Sequence, residues 1–190
     1  LGPDGHPDLN WKGRVPALFQ KESFGIADGM LTIEVGELPK PVNFNSNGKT
    51  IEYKYHGGIL RSFVSSSIGH YYECRMKMNK TEMGGGFWLC HSGTCENKHE
   101  IDITESVGQL TEHTHKWAYD WDKIMHSNAI HRKSACNKKS VRDEKKIIPP
   151  TKNSARFYTY GFYWKSATEL LFYLDGEYVY TLTPPVPFDQ

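Results

Sequence analysis

The chain has no apolar run near the ~20 residues that a membrane-crossing helix needs, so it carries no helical span of the bilayer. Charge of one sign is equally scarce: 23 Lys plus Arg stand against 22 Asp plus Glu, a net charge of +1. No strong field exists to recruit nucleic acid or an anionic membrane, and a neutral substrate fits the balance. Helical periodicity is nearly missing, and the N-terminus lacks the basic, apolar and small-residue order of a signal peptide. Any leader is therefore expected to have been removed already. Cysteine is limited to Cys74, Cys90, Cys95 and Cys136. That even count permits two disulfides in an oxidising compartment, with the pairing left open, and suits a secreted protein. Cys90, Cys95 and His99 lie close in sequence, but no second close pair completes a zinc set, so zinc is not expected.

What the chain does have is aromatic residues, 13% of the total, with 11 Tyr and 5 Trp. Sugar rings bind through their apolar C–H faces against such planes, although tyrosine is also common in strands. Short runs rich in β-branched and aromatic residues recur between Gly, Asn, Ser and Pro clusters, the rhythm of an all-β sandwich of stacked antiparallel sheets. The pattern predicts strands at 31–35, 58–63, 70–78, 86–90, 100–105, 126–131, 157–164, 170–174 and 178–182. Asp175-Gly176 should make the tight turn into the last of these. In the 70–78 run, Tyr72, Cys74, Met76 and Met78 share one face, expected to be core, and Tyr71, Glu73, Arg75 and Lys77 the other. The basic stretch 132–146 reads as a solvated excursion. At 190 residues, a single domain over 1–190 is expected.

The segment that carries chemistry is His99-Glu100-Ile101-Asp102-Ile103-Thr104-Glu105-Ser106. In a regular strand Glu100 and Asp102 point one way and Glu105 the other. One β-bulge around Ile103-Thr104 would reset the alternation and bring all three carboxylates onto one face. Glu100 and Glu105 would then lie four strand steps apart, roughly 13 Å between Cα atoms, a gap that long side chains can shorten. A retaining glycosidase holds its two carboxyl groups about 5 to 5.5 Å apart, and an inverting one wider. Like charges on one face raise at least one proton affinity, which is what an acid working near neutral pH needs. In that reading Glu100 is the nucleophile, Glu105 the acid/base, and Asp102 the carboxylate that orients Glu100. Acidic alternation on an exposed strand can also serve solubility, but crowding three carboxylates is a costly way to obtain it.

The string E-I-D-I-T-E resembles the bulged E-x-D-x-x-E signature of glycoside hydrolase family 16. "WKGRVPALF", "GGILRSF", "GHYYECRMKMNKTEMGGGFWL", "MHSNAIH" and "YTYGFYWKSATELLFYLDGEYV" keep the family order over most of the chain. "YYECRMKMNKT" and "ESVG" are most similar to the β-agarase and β-porphyranase branch, which acts on red-algal galactans. The resemblance implies a β-jelly-roll of two curved antiparallel sheets with an open cleft on the concave face. It further implies internal cleavage of β-1,4 linkages with retention, by an enzyme acting as a monomer without redox or nucleotide cofactor. Glu100 matches the family nucleophile, Asp102 the assisting aspartate and Glu105 the acid/base. Trp88 falls where the family places a cleft tryptophan, and His131 at a cleft histidine on the next strand. Trp11 and Arg14, in W-x-x-R, resemble a substrate-contacting pair of the branch.

Cys90 stands where porphyranases carry a sulfate-contacting arginine, which points to an agarose-like substrate. β-Porphyranase, carrageenase or laminarinase specificity on the same fold, or a carbohydrate-binding jelly-roll without turnover, are the rival readings. Trp164 is expected to pack between the sheets. The alternating His113, His115, Trp117, Tyr119 and Trp121 could wall the cleft or pack on themselves. A structural calcium on the convex face is frequent in the family and allowed here. The family domain usually extends past both ends of this sequence, so the chain is expected to be incomplete at each end.

Overall fold

A computed structural model describes residues 12–46, 48–90, 98–134 and 137–188. The chain forms two compact units, Leu1–Val64 and Ser65–Gln190.

In the first unit, β1 (Ala17–Phe19) runs parallel to β5 (Lys49–Gly57), and β4 (Gly36–Ser46) pairs antiparallel on the other side of β5. A hairpin of β2 (Phe24–Ala27) and β3 (Met30–Ile33) turns on Asp28 and Gly29, both at positive φ. The parallel pair departs from the all-antiparallel expectation. So does the absence of a strand at 58–63: pairing ends at Gly57, and Gly58 lies so close under the Phe24 ring that a Cβ there would meet it at 2.5 Å. β4 escaped the sequence pattern because Pro39 and Pro41 interrupt it. As an edge strand with a register break between Glu37 and Val42, it tolerates both prolines.

The second unit is a sandwich of two four-stranded antiparallel sheets. One has the order β10 (Asn137–Ile147), β9 (Met125–Ser134), β8 (Lys98–Ser106), β7 (Gly85–Cys90). The other has β13 (Glu177–Leu182), β12 (Glu169–Leu174), β11 (Tyr158–Ser166), β6 (Tyr71–Met76). Ile101, Ile103, Met125 and Ala129 from the first sheet meet Tyr158, Tyr160, Phe162, Trp164, Leu170, Phe172 and Leu182 from the second. Trp164 is thus core, as its apolar strand implied. Tyr72, Cys74, Met76 and Met78 turn inward while their odd-numbered neighbours are exposed. Ser127 ties the sheets together: its hydroxyl donates to the Ile103 carbonyl at 2.6 Å and lies 2.8 Å from the Tyr180 hydroxyl. Asp175 and Gly176, at φ 53° and 86°, make the hairpin turn between β12 and β13.

The basic stretch is a correction. Instead of a solvated excursion it supplies β10, which pairs with β9 from Asn137 to Ile147. Among the described strands β10 pairs only with β9, and charged side chains are a usual way to protect such an edge from further pairing. High charge therefore disguised a strand.

Phe172 is fully buried, with its ring 5.2 Å from that of Phe162 and 5.5 Å from that of Tyr180. Phe172→Ala should cost about 3–5 kcal/mol through lost burial and the cavity left behind. Denaturant unfolding of both proteins checks this; a loss below ~1 kcal/mol would mean that the sheets close over the gap.

Candidate active site

β8 carries the acids, and its pairing shows how they come to share a face. On the β7 side Thr104 pairs with Phe87 and Asp102 with Trp88, so Ile103 is the extra residue. On the β9 side Asp102 pairs with Asn128 and Glu105 with His126, again three residues against two. The expected bulge is present. Ile101 and Ile103 point into the core, Thr104 is fully buried, and the alternation restarts so that Glu105 rejoins Glu100 and Asp102.

The neighbouring strands complete the face. On β7, Phe87 and Leu89 pack on the core, so Gly86, Trp88 and Cys90 stand beside Glu105, Asp102 and Glu100 respectively. On β9, Met125 and Ala129 face the core, which turns His126, Asn128, Ile130 and Arg132 toward the acids.

Each carboxylate has its own surroundings. Glu100 is ion-paired with Arg132, which orients its carboxylate. Glu105 accepts a 2.7 Å hydrogen bond at Oε2 from the Asn128 amide, and its side chain is 38% exposed. Asp102, between them, is only 4% exposed. Burial, then the charges of Glu105 and Glu100, push its carboxyl up to about 8, against the opposing effects of the Asn128 hydrogen bond and the Arg132 charge. At neutral pH the triad therefore holds a proton at its centre. A protonated Asp102 can donate to a neighbouring carboxylate, which an aspartate anion cannot. The arrangement sets Glu100, oriented by Arg132, and Glu105, bonded by Asn128, on either side of the proton-bearing Asp102, so that one carboxyl can act as nucleophile and the other as acid.

The loop after β8 packs against the same face. Trp121 lies 5.2 Å from the His126 ring, and Trp117 meets Trp121 edge-on at 5.2 Å. Asn153 pins this loop by donating to the Trp121 and Ile124 carbonyls at 3.1 and 3.0 Å. Of the alternating aromatics, Trp117 and Trp121 pack on each other, and Trp121 on His126.

Residues 4–190 match the family model described as "Beta-porphyranase A-D, GH16 domain". The chain belongs to glycoside hydrolase family 16. It is 38% identical over 186 residues to β-porphyranase B of Zobellia galactanivorans, covering 94% of this chain and 61% of that protein. With β-porphyranase C of the same organism it shares 31% over 201 residues, covering 95% and 57%. It therefore spans about three-fifths of the length of these relatives. The crystal structure of porphyranase B superposes with a TM-score of 0.83 at 37% identity, over 95% of this chain and 68% of that one. β-Agarase A bound to oligoagarose, at 20% identity and a TM-score of 0.68 over 95% and 65%, shares the fold alone. These neighbours make the sandwich a family 16 jelly-roll, as the signature implied.

Of the residues expected at the family 16 site, Glu100, Asp102, Glu105 and Trp88 come together on one face. His131 does not, which corrects its reading as a cleft histidine. It lies on the core side of β9, buried, with its ring 5.0 Å from His99, which in turn stacks on Phe188 at 4.2 Å. An odd position on a strand whose even positions face the acids cannot reach them. Trp11 and Cys95 lie outside the described residues, as does Cys136. Arg14 is exposed in the first unit. Among the described residues no group of three or more His, Cys, Asp or Glu side chains is placed to hold a metal ion. Sequence reasoning missed His126, Asn128 and Arg132. The small Ser127 and Ala129 mark the core-facing parity of β9 and could have found all three.

The raised Asp102 carboxyl makes stability depend on pH. Folded Asp102 keeps its proton where the unfolded chain, with an ordinary carboxyl near 3.8, gives it up. Its stabilising contribution is complete below about pH 4 and is lost as pH rises to about 8. Asp102→Asn removes the loss, so the variant should gain on the parent between pH 5 and pH 9. Equal differences in unfolding free energy at the two pH values would show that Asp102 ionises normally.

Proposed function

We propose that this chain hydrolyses internal β-1,4 linkages of a red-algal galactan with retention of anomeric configuration. The observation that carries the reading is the bulge at Ile103, which gathers Glu100, Asp102 and Glu105 on one face beside Trp88. Glu100, held by Arg132, attacks the anomeric carbon while Glu105 protonates the departing oxygen. Glu105 then takes a proton from water, which displaces Glu100 from the glycosyl-enzyme. Asp102 lies between them and, when protonated, can donate a hydrogen bond to whichever neighbour is anionic. Trp88, alongside Asp102, offers an aromatic plane to the sugar at the point of cleavage. The enzyme acts as a monomer, outside the cell, where a polymer of this size meets it.

Two galactans compete as substrate. Cys90, alongside Glu100 in place of a cation, supports an agarose-like chain. The match to the porphyranase model, the names of the more similar relatives, and the cross-strand pair Lys98 and Arg132 at the Glu100 end of the face support porphyran. The weight lies with porphyran. Analysis of oligosaccharides released from porphyran, agarose, κ-carrageenan and laminarin tests both readings. Products from either galactan are expected, with their proportion naming the substrate, and cleavage of laminarin alone overturns the proposal. A protein that binds these polymers and releases nothing is instead a carbohydrate-binding jelly-roll.

A further inference from the structure

His126 has no part in the reaction as written, yet it is built tightly into the site. Its Nδ1 lies 3.6 Å from Glu105 Oε2 and its Nε2 3.6 Å from Glu144 Oε2, with the side chain 13% exposed. Nδ1 is closed off from water and makes no hydrogen bond among the described residues, although it is aimed at the Glu105 carboxyl. Trp121 leans on the ring at 48°, and Trp117 supports Trp121. Glu144, on β10, is half exposed and is itself approached by Arg142 at 3.6 Å. Lys146 pairs with His126 across β9 and β10, but its ammonium is taken by Asp120. The groups facing His126 are therefore Glu105 from β8, Glu144 from β10 and the Trp121 ring from the loop.

Asn128 and His126 both address the same oxygen of Glu105, its Oε2. A carboxyl hydrogen-bonded at Oε2 by Asn128 and hemmed in on that oxygen by the His126 ring has its torsions confined and presents Oε1 as the atom that exchanges a proton. We infer that His126, backed by Glu144, is a positioning residue that aims the Oε1 of Glu105 at the departing glycosidic oxygen. This rests on the reading of Glu105 as acid/base. A poorly aimed acid slows only steps that need its proton, and displacement of about 1 Å can cost on the order of 100-fold.

Leaving-group dependence separates aiming from general support of the fold. On the polysaccharide, His126→Ala should lower kcat on the order of 10- to 100-fold with KM unchanged. On an aryl oligosaccharide with a dinitrophenolate leaving group, which departs without a proton, kcat/KM should remain close to that of the parent. Glu144→Gln changes a half-exposed side chain without changing its volume, and should give the same pattern with a smaller loss. Equal losses on both substrates, a change confined to KM, or no loss on either would overturn the inference. A crystal structure of His126→Ala reads the aim without turnover: the Glu105 carboxyl should leave Asn128 or divide between rotamers. A carboxyl unmoved on Asn128 would again overturn it. Were the parent inactive on both substrates, the glycosidase reading would fall, and the structure of the variant would decide the positioning role alone.

Discussion

Glu100→Gln should lower kcat on the red-algal galactan by on the order of 10^4- to 10^6-fold while the variant still binds the polymer. The amide has nearly the volume of the carboxylate but cannot form the glycosyl-enzyme ester, so the two-step route closes. Binding should change far less, because the aromatic surfaces remain. Arg132 loses its anionic partner, a change at a partly exposed site that costs little of the fold. The decisive measurement uses Glu100→Ala with azide, which can enter the vacated space and attack the anomeric carbon directly. The product should be a glycosyl azide of inverted configuration. Retained configuration, or kcat within ~10-fold of the parent, would move the nucleophile to another residue.

Glu105→Ala has the second largest expected effect, a loss of about 10^2- to 10^4-fold on the polysaccharide, the range of a positioned general acid. Here the leaving group decides the outcome. A dinitrophenolate departs unaided, so formation of the glycosyl-enzyme should survive, and the intermediate should accumulate because no base activates water. Azide, which needs no base, should restore turnover and give a product of retained configuration. Opposite azide products from Glu100→Ala and Glu105→Ala would assign the two roles independently. Matching products would refute the division of labour. The effect of His126→Ala is then a weakened copy of the Glu105 phenotype on the same two substrates.

Much of the site was legible because the acids sit in one strand, where period-two geometry and a single bulge are strong constraints. E-I-D-I-T-E states its own contradiction, with two acids on one parity and one on the other, and a bulge is the least costly resolution. Inward-facing Tyr72, Cys74 and Met76 were readable by the same rule, as was the Asp175-Gly176 turn. His131 was misplaced because the face of β9 depends on its register with β8, and the small Ser127 and Ala129 are the one local sign in M-H-S-N-A-I-H of the buried parity that His131 shares. β10 was misread because charge on a strand means solvent only when no neighbour is known. In fact Arg142, Asp143 and Glu144 are held by pairing with β9.

Local sequence by itself settled that this is a β protein, that three carboxylates occupy one strand, and that a kink must reconcile them, since backbone alternation is a short-range property. Tertiary structure alone decided what surrounds those carboxylates. Arg132 on Glu100, Asn128 and His126 on Glu105, and the burial that keeps a proton on Asp102 all depend on which strand lies beside which, and in what register. Charge and burial act through space over a few ångströms, a distance that joins Glu105 to Glu144 through His126 although 39 positions (144 − 105) separate them in the chain.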